Sequence, residues 1–119
     1  MQYLLLIYEN ESIAGEMSPA DRGAFFGAYM DYTRSIKGSG HMVAGDALEP
    51  VSKATTVRVR DGKTLTTDGP FAETREQLGG YYLIEAKDVE EAIAIGARIP
   101  AAKTGSVEVR PIMPMNMSS

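Results

Sequence analysis

The sequence has no cysteine among its 119 residues and only one histidine. Disulfides, thiolate zinc sites and thiol nucleophiles are therefore excluded, and a single imidazole is too little for a dedicated transition-metal site. The lack of thiols fits a reducing compartment. Positive charge is also scarce. Twelve basic residues stand against 16 acidic ones, a net charge of −4, which gives no basic face for duplex nucleic acid. No apolar run approaches the length of a membrane span. The opening MQYLLLIYENE lacks the basic leader of a secretion signal. The expected location is the cytoplasm, with no membrane partner. Motifs are missing too: there is no GxxxxGK[ST], GxGxxG, GxSxG or HExxH. Readings as an NTPase, dinucleotide enzyme, hydrolase elbow or zincin are disfavoured.

What is present has globular composition, 44% hydrophobic and 24% charged, in a length that suits one domain. That domain is expected over residues 1–113, with 114–119 as a flexible tail. Tyr3 to Tyr8 is a continuous apolar run, the pattern of a strand covered on both faces. Ser18-Pro19-Ala20-Asp21 starts a helix that Gly38-Ser39-Gly40 stops at about Lys37. Phe25, Tyr29, Thr33 and Ile36 recur along it at helical spacing, with Phe26 and Met30 beside them. A second strand starts at His41, is interrupted by Gly45-Asp46 and ends at Leu48-Glu49-Pro50. Thr55 to Arg60 alternates, and Asp61-Gly62 turns it back into Thr64–Asp68 as a hairpin. Gly80 to Ala86 is a further strand. Asp88 with Glu91 caps a helix that is expected to bury Val89, Ala92, Ile93 and Gly96. Ser106 to Ile112 is the last strand.

The order is β-α-β, a hairpin, then β-α-β. Without the hairpin this is the ferredoxin-like split βαβ arrangement, an α+β fold with both helices on one face of an antiparallel sheet. Tyr8, Tyr82, Val107 and Val109 are expected on the other face. They are too apolar to stay wet, and a second copy is the simplest cover, which predicts a homodimer.

The stretch DGPFAETREQLGGYY carries the main candidate site. Asp68-Gly69-Pro70-Phe71 is either a rigid turn stapled by Phe71 or a stiffly held carboxylate, Asp68, fit to act as a general base. Arg75 is either solvated or an anion clamp. Gly79-Gly80 allows a bulge or a close backbone approach. His41 is either an exposed strand start or a titrating group near neutrality. Tyr29, Tyr32, Tyr81 and Tyr82 are either core residues with hydrogen-bonded tips or the lining of a pocket between helix and sheet. Arg58 and Arg60 share the polar face of the hairpin.

MQYLLLIYENE, ATTVRVRDGKTLTTDGPFAETREQLGGYYLIEAKDVEEA and GSVEVRPIM together resemble the DGPF-domain proteins of the YCII-related family over nearly the whole chain. The resemblance implies a dimeric α+β barrel, in which two ferredoxin-like protomers face each other across a two-fold axis. It implies a bacterial protein without an established reaction. It also implies a regulatory context near genes for extracytoplasmic-function sigma factors. Smaller relatives have been proposed to be enzymes that use a histidine on the first helix with a nearby aspartate. This chain departs there: helix 19–37 has no histidine, and Ala28 and Tyr29 occupy the corresponding stretch. Asp68 is the acid the resemblance carries over.

Two functions are expected from this reading. The first is a small-molecule protein, catalytic or not, with a cleft between sheet and helix. Asp68 would be its acid or base, with His41 as a second catalytic candidate that could also orient the ligand, and Tyr29, Tyr82 and Arg75 would bind it. The second is a non-catalytic interaction protein linked to a sigma factor. Direct nucleic-acid binding is a weaker third. No cofactor is assigned.

Overall fold

A computed structural model describes residues 1–115. From residue 116 onward the expected tail lies outside the described residues. The chain is α+β. Strand β1 (Gln2–Glu9) is followed by a short helix α1 (Glu11–Gly15), the long helix α2 (Pro19–Gly38) and strand β2 (Met42–Ala47). The hairpin strands β3 (Thr55–Arg60) and β4 (Lys63–Asp68) come next. Strand β5 (Gln77–Glu85), helix α3 (Val89–Ala97) and strand β6 (Ser106–Pro111) complete the order.

The main sheet runs β2-β5-β1-β6, with every neighbouring pair antiparallel. This is the split βαβ order expected from the sequence. β1 lies inside the sheet and alternates strictly. Tyr3, Leu5 and Ile7 are buried under the helices, whereas Leu4, Leu6 and Tyr8 are half-buried on the opposite face. Leu5, Ile36, Ile84 and Ile99 are the largest fully buried side chains and mark the centre of the core. Tyr32 joins the two long helices, its hydroxyl donating to the Ile95 carbonyl at 2.9 Å.

The signals at the helix ends act as the sequence suggests. Ser18 Oγ accepts from the Asp21 N–H at 3.1 Å, and Asp88 Oδ1 accepts from the Glu91 N–H at 2.9 Å. Glu91 reaches one residue further back than the usual box, to the Lys87 N–H. At the end of α2, Gly40 takes φ +80°. Its N–H donates to the Lys37 carbonyl, and the His41 N–H donates to the Ile36 carbonyl. That is the Schellman pattern, and it needs a residue tolerant of the left-handed region at position 40.

Several expectations about faces and boundaries are corrected. Tyr82, Val107 and Val109 do not lie on the uncovered face of the sheet. Val107 pairs with Ile7 and Val109 with Leu5, and directly opposed residues share a face, so both valines point at the helices. Tyr82 is 8% exposed and belongs to the core. The uncovered face instead carries Leu4 opposite Leu83 and Leu6 opposite Tyr81, with Tyr8 beyond them. In α3 the cap at Asp88 sets the phase so that Ala92, Ile95 and Gly96 face the sheet, while Val89 and Ile93 are exposed. β2 is not broken at Gly45-Asp46 but runs on to Ala47. A Cβ at Gly45 would lie 2.7 Å from Tyr82 Cδ1, so glycine here makes room for the neighbouring ring rather than ending the strand. β5 starts at Gln77, before the double glycine. α1 was not foreseen; Asn10 caps it by accepting from the Ser12 N–H at 3.0 Å.

The hairpin β3–β4 forms a separate two-stranded sheet. Asp61 at φ 51° and Gly62 at φ 75° make its tight turn, as the Asp-Gly pair predicts. The hairpin stands away from the body. The radius of gyration is 16.6 Å and the molecule measures 52 × 48 × 18 Å, whereas a compact chain of this length has a radius of about 13.5 Å.

Candidate functional site

A cleft of about 420 Å³ opens between α2 and the β2–β5–β1 part of the sheet. Phe25, Phe26 and Tyr29 from α2 form one wall and Tyr82 from β5 the other. Gly45, Gly79 and Gly80 line it on the sheet side. These glycines open the space. Ile7 pairs with Gly80 and Tyr8 with Leu78, so Gly79 is the extra residue of a bulge in β5. A Cβ on Gly80 would lie 3.0 Å from the Asp46 carbonyl oxygen. The sheet here is bare backbone, and a flat ligand group can approach it closely.

Two acids line the cleft, Asp46, which accepts from the Tyr81 hydroxyl at 2.8 Å, and Glu9. Glu9 continues the alternation of Tyr3, Leu5 and Ile7, so its side chain comes to the helix side at the end of β1. Burial pushes its carboxyl above the ordinary value, with Tyr29 pulling it partly back. The Tyr29 hydroxyl is pushed up in turn, by burial first and by the negative charge of Glu9 second. Each group therefore feels the other. The Glu9 carboxyl and the Ala101 backbone both lie near the Tyr29 hydroxyl, yet among the described residues Tyr29 Oη is the one buried side-chain polar atom that makes no hydrogen bond of good geometry. The other polar tips are satisfied. Tyr82 Oη and Thr33 Oγ1 lie 2.7 Å apart, and the Tyr82 ring meets Tyr32 edge-on at 5.2 Å. Arg22, near the start of α2, also lines the cleft. A carboxyl with a raised proton affinity beside a phenol that lacks a well-formed hydrogen bond, in an apolar cleft, can donate or accept a proton and hydrogen-bond a ligand carbonyl or hydroxyl.

The structure brings Tyr29 and Tyr82 together in this cleft. Tyr81 lines it too, whereas Asp68, Arg75 and His41 lie elsewhere. Asp68 ends β4 opposite Thr55 and is exposed. Its neighbour Gly69 takes φ +99°, its N–H donating to the Ala54 carbonyl and its own carbonyl accepting from Thr56 Oγ1 at 2.9 Å. The Asp-Gly pair thus closes the base of the hairpin. Phe71 is not the buried anchor expected of it: it is 78% exposed, with the Arg58 guanidinium 5.5 Å from its ring centre. Arg75 is exposed on the irregular segment after it. His41 turns away from the cleft, with Nδ1 2.7 Å from Ser39 Oγ and Nε2 3.4 Å from Glu91 Oε1.

The sequence does not single out Glu9, because it follows the apolar run Tyr3–Tyr8 as its polar boundary. The alternation of β1 is the signal that would have placed it. Among the described residues no group of three or more His, Asp or Glu could hold a metal ion, and no helix is long and apolar enough to cross a membrane.

The chain is 35% identical over 114 residues to an uncharacterized protein of Rhizobium meliloti (strain 1021), a match covering 94% of this chain and 92% of the relative. The model of the YCII-related domain matches residues 1–116. With helices and antiparallel strands in the expected order and a match from end to end, the chain belongs to the YCII-related family.

Proposed function

We propose that this protein binds a small molecule in the cleft between α2 and the sheet, with Glu9 and Tyr29 as its polar contacts. The unpartnered Tyr29 hydroxyl carries the reading. Leaving a buried O–H unsatisfied costs about 1–3 kcal/mol, and a ligand acceptor in the cleft recovers that cost. The glycines and the aromatic wall suit a largely apolar ligand with one hydrogen-bonding group. Glu9 supplies the acid or base if the ligand is transformed, with Tyr82 fixing the wall behind it.

The working unit in this proposal is a cytoplasmic homodimer. The uncovered sheet face, with Leu4, Leu6 and Leu83 at its centre, supports it: such a surface calls for cover. Facing sheets would make the dimeric α+β barrel. Within one protomer Asp68, Arg75 and His41 do not reach the cleft, so a catalytic part for Asp68 requires a second protomer to bring it there.

A second reading is an interaction protein linked to a sigma factor. The exposed Phe71, beside Arg58 at the base of the hairpin, supports a docking surface of that kind. Ligand-observed NMR with a library of small aromatic fragments separates the two. The cleft reading expects hits that weaken in Phe26→Ala and Tyr29→Phe. A library without a single hit, alongside stoichiometric capture of a sigma factor, would replace it with the second.

A further inference from the structure

We propose that the β3–β4 hairpin is a clasping arm that lies on a second copy of this chain through its Val57–Val59 face; this rests on the homodimer reading. The two sides of the arm differ. Val57 pairs with Thr66 and Val59 with Thr64, so one side presents two valines between threonines, with Asp68 only at its base. The other side carries Arg58, Arg60 and Lys63, with Leu65 opposite Arg58 and Phe71 beneath the Arg58 guanidinium. With three basic residues around its single leucine, the charged side suits water. The valine side does not, yet Val57 is 60% and Val59 59% exposed.

A two-stranded hairpin alone is marginal in water and needs a third strand or a packed face to persist. Here the arm forms its own sheet and, among the described residues, packs extensively on no helix or strand of the body. The same chain leaves a second apolar surface without cover, the sheet face around Leu4, Leu6 and Leu83. A two-fold pair covers both kinds of surface at once and leaves no arm unpaired, which an unrelated partner does not do. Charge agrees. Arg58, Arg60 and Lys63 against Asp61 and Asp68 make the arm positive on a chain whose net charge is −4. The arm is therefore drawn to the body of another copy rather than to another arm.

The absence of native cysteine allows a clean test. Val59→Cys and, as the control on the opposite side of the arm, Arg60→Cys are labelled with a maleimide in the full chain, with the oligomeric state checked by light scattering. In the dimer Val59→Cys reacts about tenfold or more slowly than Arg60→Cys, and the gap closes on dilution, because only free monomer exposes the valine face. A second variant replaces residues 56–67 with a short glycine linker, and weaker dimerisation is expected. Equal labelling rates in a proven dimer, or a dimer affinity unmoved by the linker, would overturn the arm and leave the dimer standing. A wild-type chain that is monomeric at these concentrations would overturn both.

Discussion

Thr33 Oγ1 and Tyr82 Oη meet at 2.7 Å across the interface between α2 and β5. The bond ties the helix to the sheet where the cleft begins, and it fixes the ring that Gly45 makes room for. Tyr82→Phe or Thr33→Val each leaves the other hydroxyl without its partner, so each should cost about 1–2 kcal/mol. The double variant should cost less than the sum of the two. Urea unfolding of the three variants measures this; fully additive losses would show that the bond contributes nothing.

Tyr29→Phe should behave in the opposite way. It removes a buried hydroxyl that has no partner, so stability should hold or rise by up to about 1 kcal/mol, while fragment binding in the cleft weakens. Thermal melts and fragment titrations on the same sample give both values. A clear loss of stability would mean that the hydroxyl is already paired within the protein.

Glu9 gives a pH dependence. Its carboxyl is raised in the folded protein, so the folded state holds the proton more tightly than the unfolded chain. The stability this provides is complete below the ordinary glutamate value of 4.5 and is lost as pH rises through the higher folded value. At neutral pH the charged form is therefore a burden. Glu9→Gln should melt higher than wild type there, and the difference should shrink as the pH is lowered. Melting curves across acid and neutral pH test this, and a difference that does not vary with pH would contradict it.

The glycines divide into two groups. A Cβ at Gly105 would collide with the Tyr8 carbonyl oxygen, whereas one at Gly23, within α2, would meet nothing within 4 Å. Gly105→Ala should cost about 1–3 kcal/mol, or more, from the backbone clash. Gly23→Ala should stabilise by up to about 1 kcal/mol through helix propensity. Denaturant midpoints of both variants check the contrast.

Most of the element order was legible because local chemistry writes it. Ser18 and Asp88 cap, Gly40 ends a helix, and Asp61-Gly62 turns a hairpin, all with little help from distant parts of the chain. Faces were harder to read. Val107 and Val109 point where they do because they pair with Ile7 and Leu5, and register between distant strands is not written locally. Gly45 reads as a strand breaker until Tyr82 is placed beside it. Of the cleft, Tyr29 and Tyr82 could be picked out by residue type and spacing. Glu9 sat in plain view at the end of an alternating strand, but its burial depends on α2 crossing above it. The Asp68 turn stands out in the sequence, yet in one protomer it secures the base of the hairpin.

The most direct test of the cleft is an amide NMR titration of the protein with a small aromatic ketone. The account predicts shift changes centred on Glu9, Tyr29, Gly45, Gly79 and Gly80, and a weaker titration in Tyr29→Phe. Changes centred instead on 68–75, with Tyr29→Phe titrating like the wild type, would contradict it and return the site to Asp68.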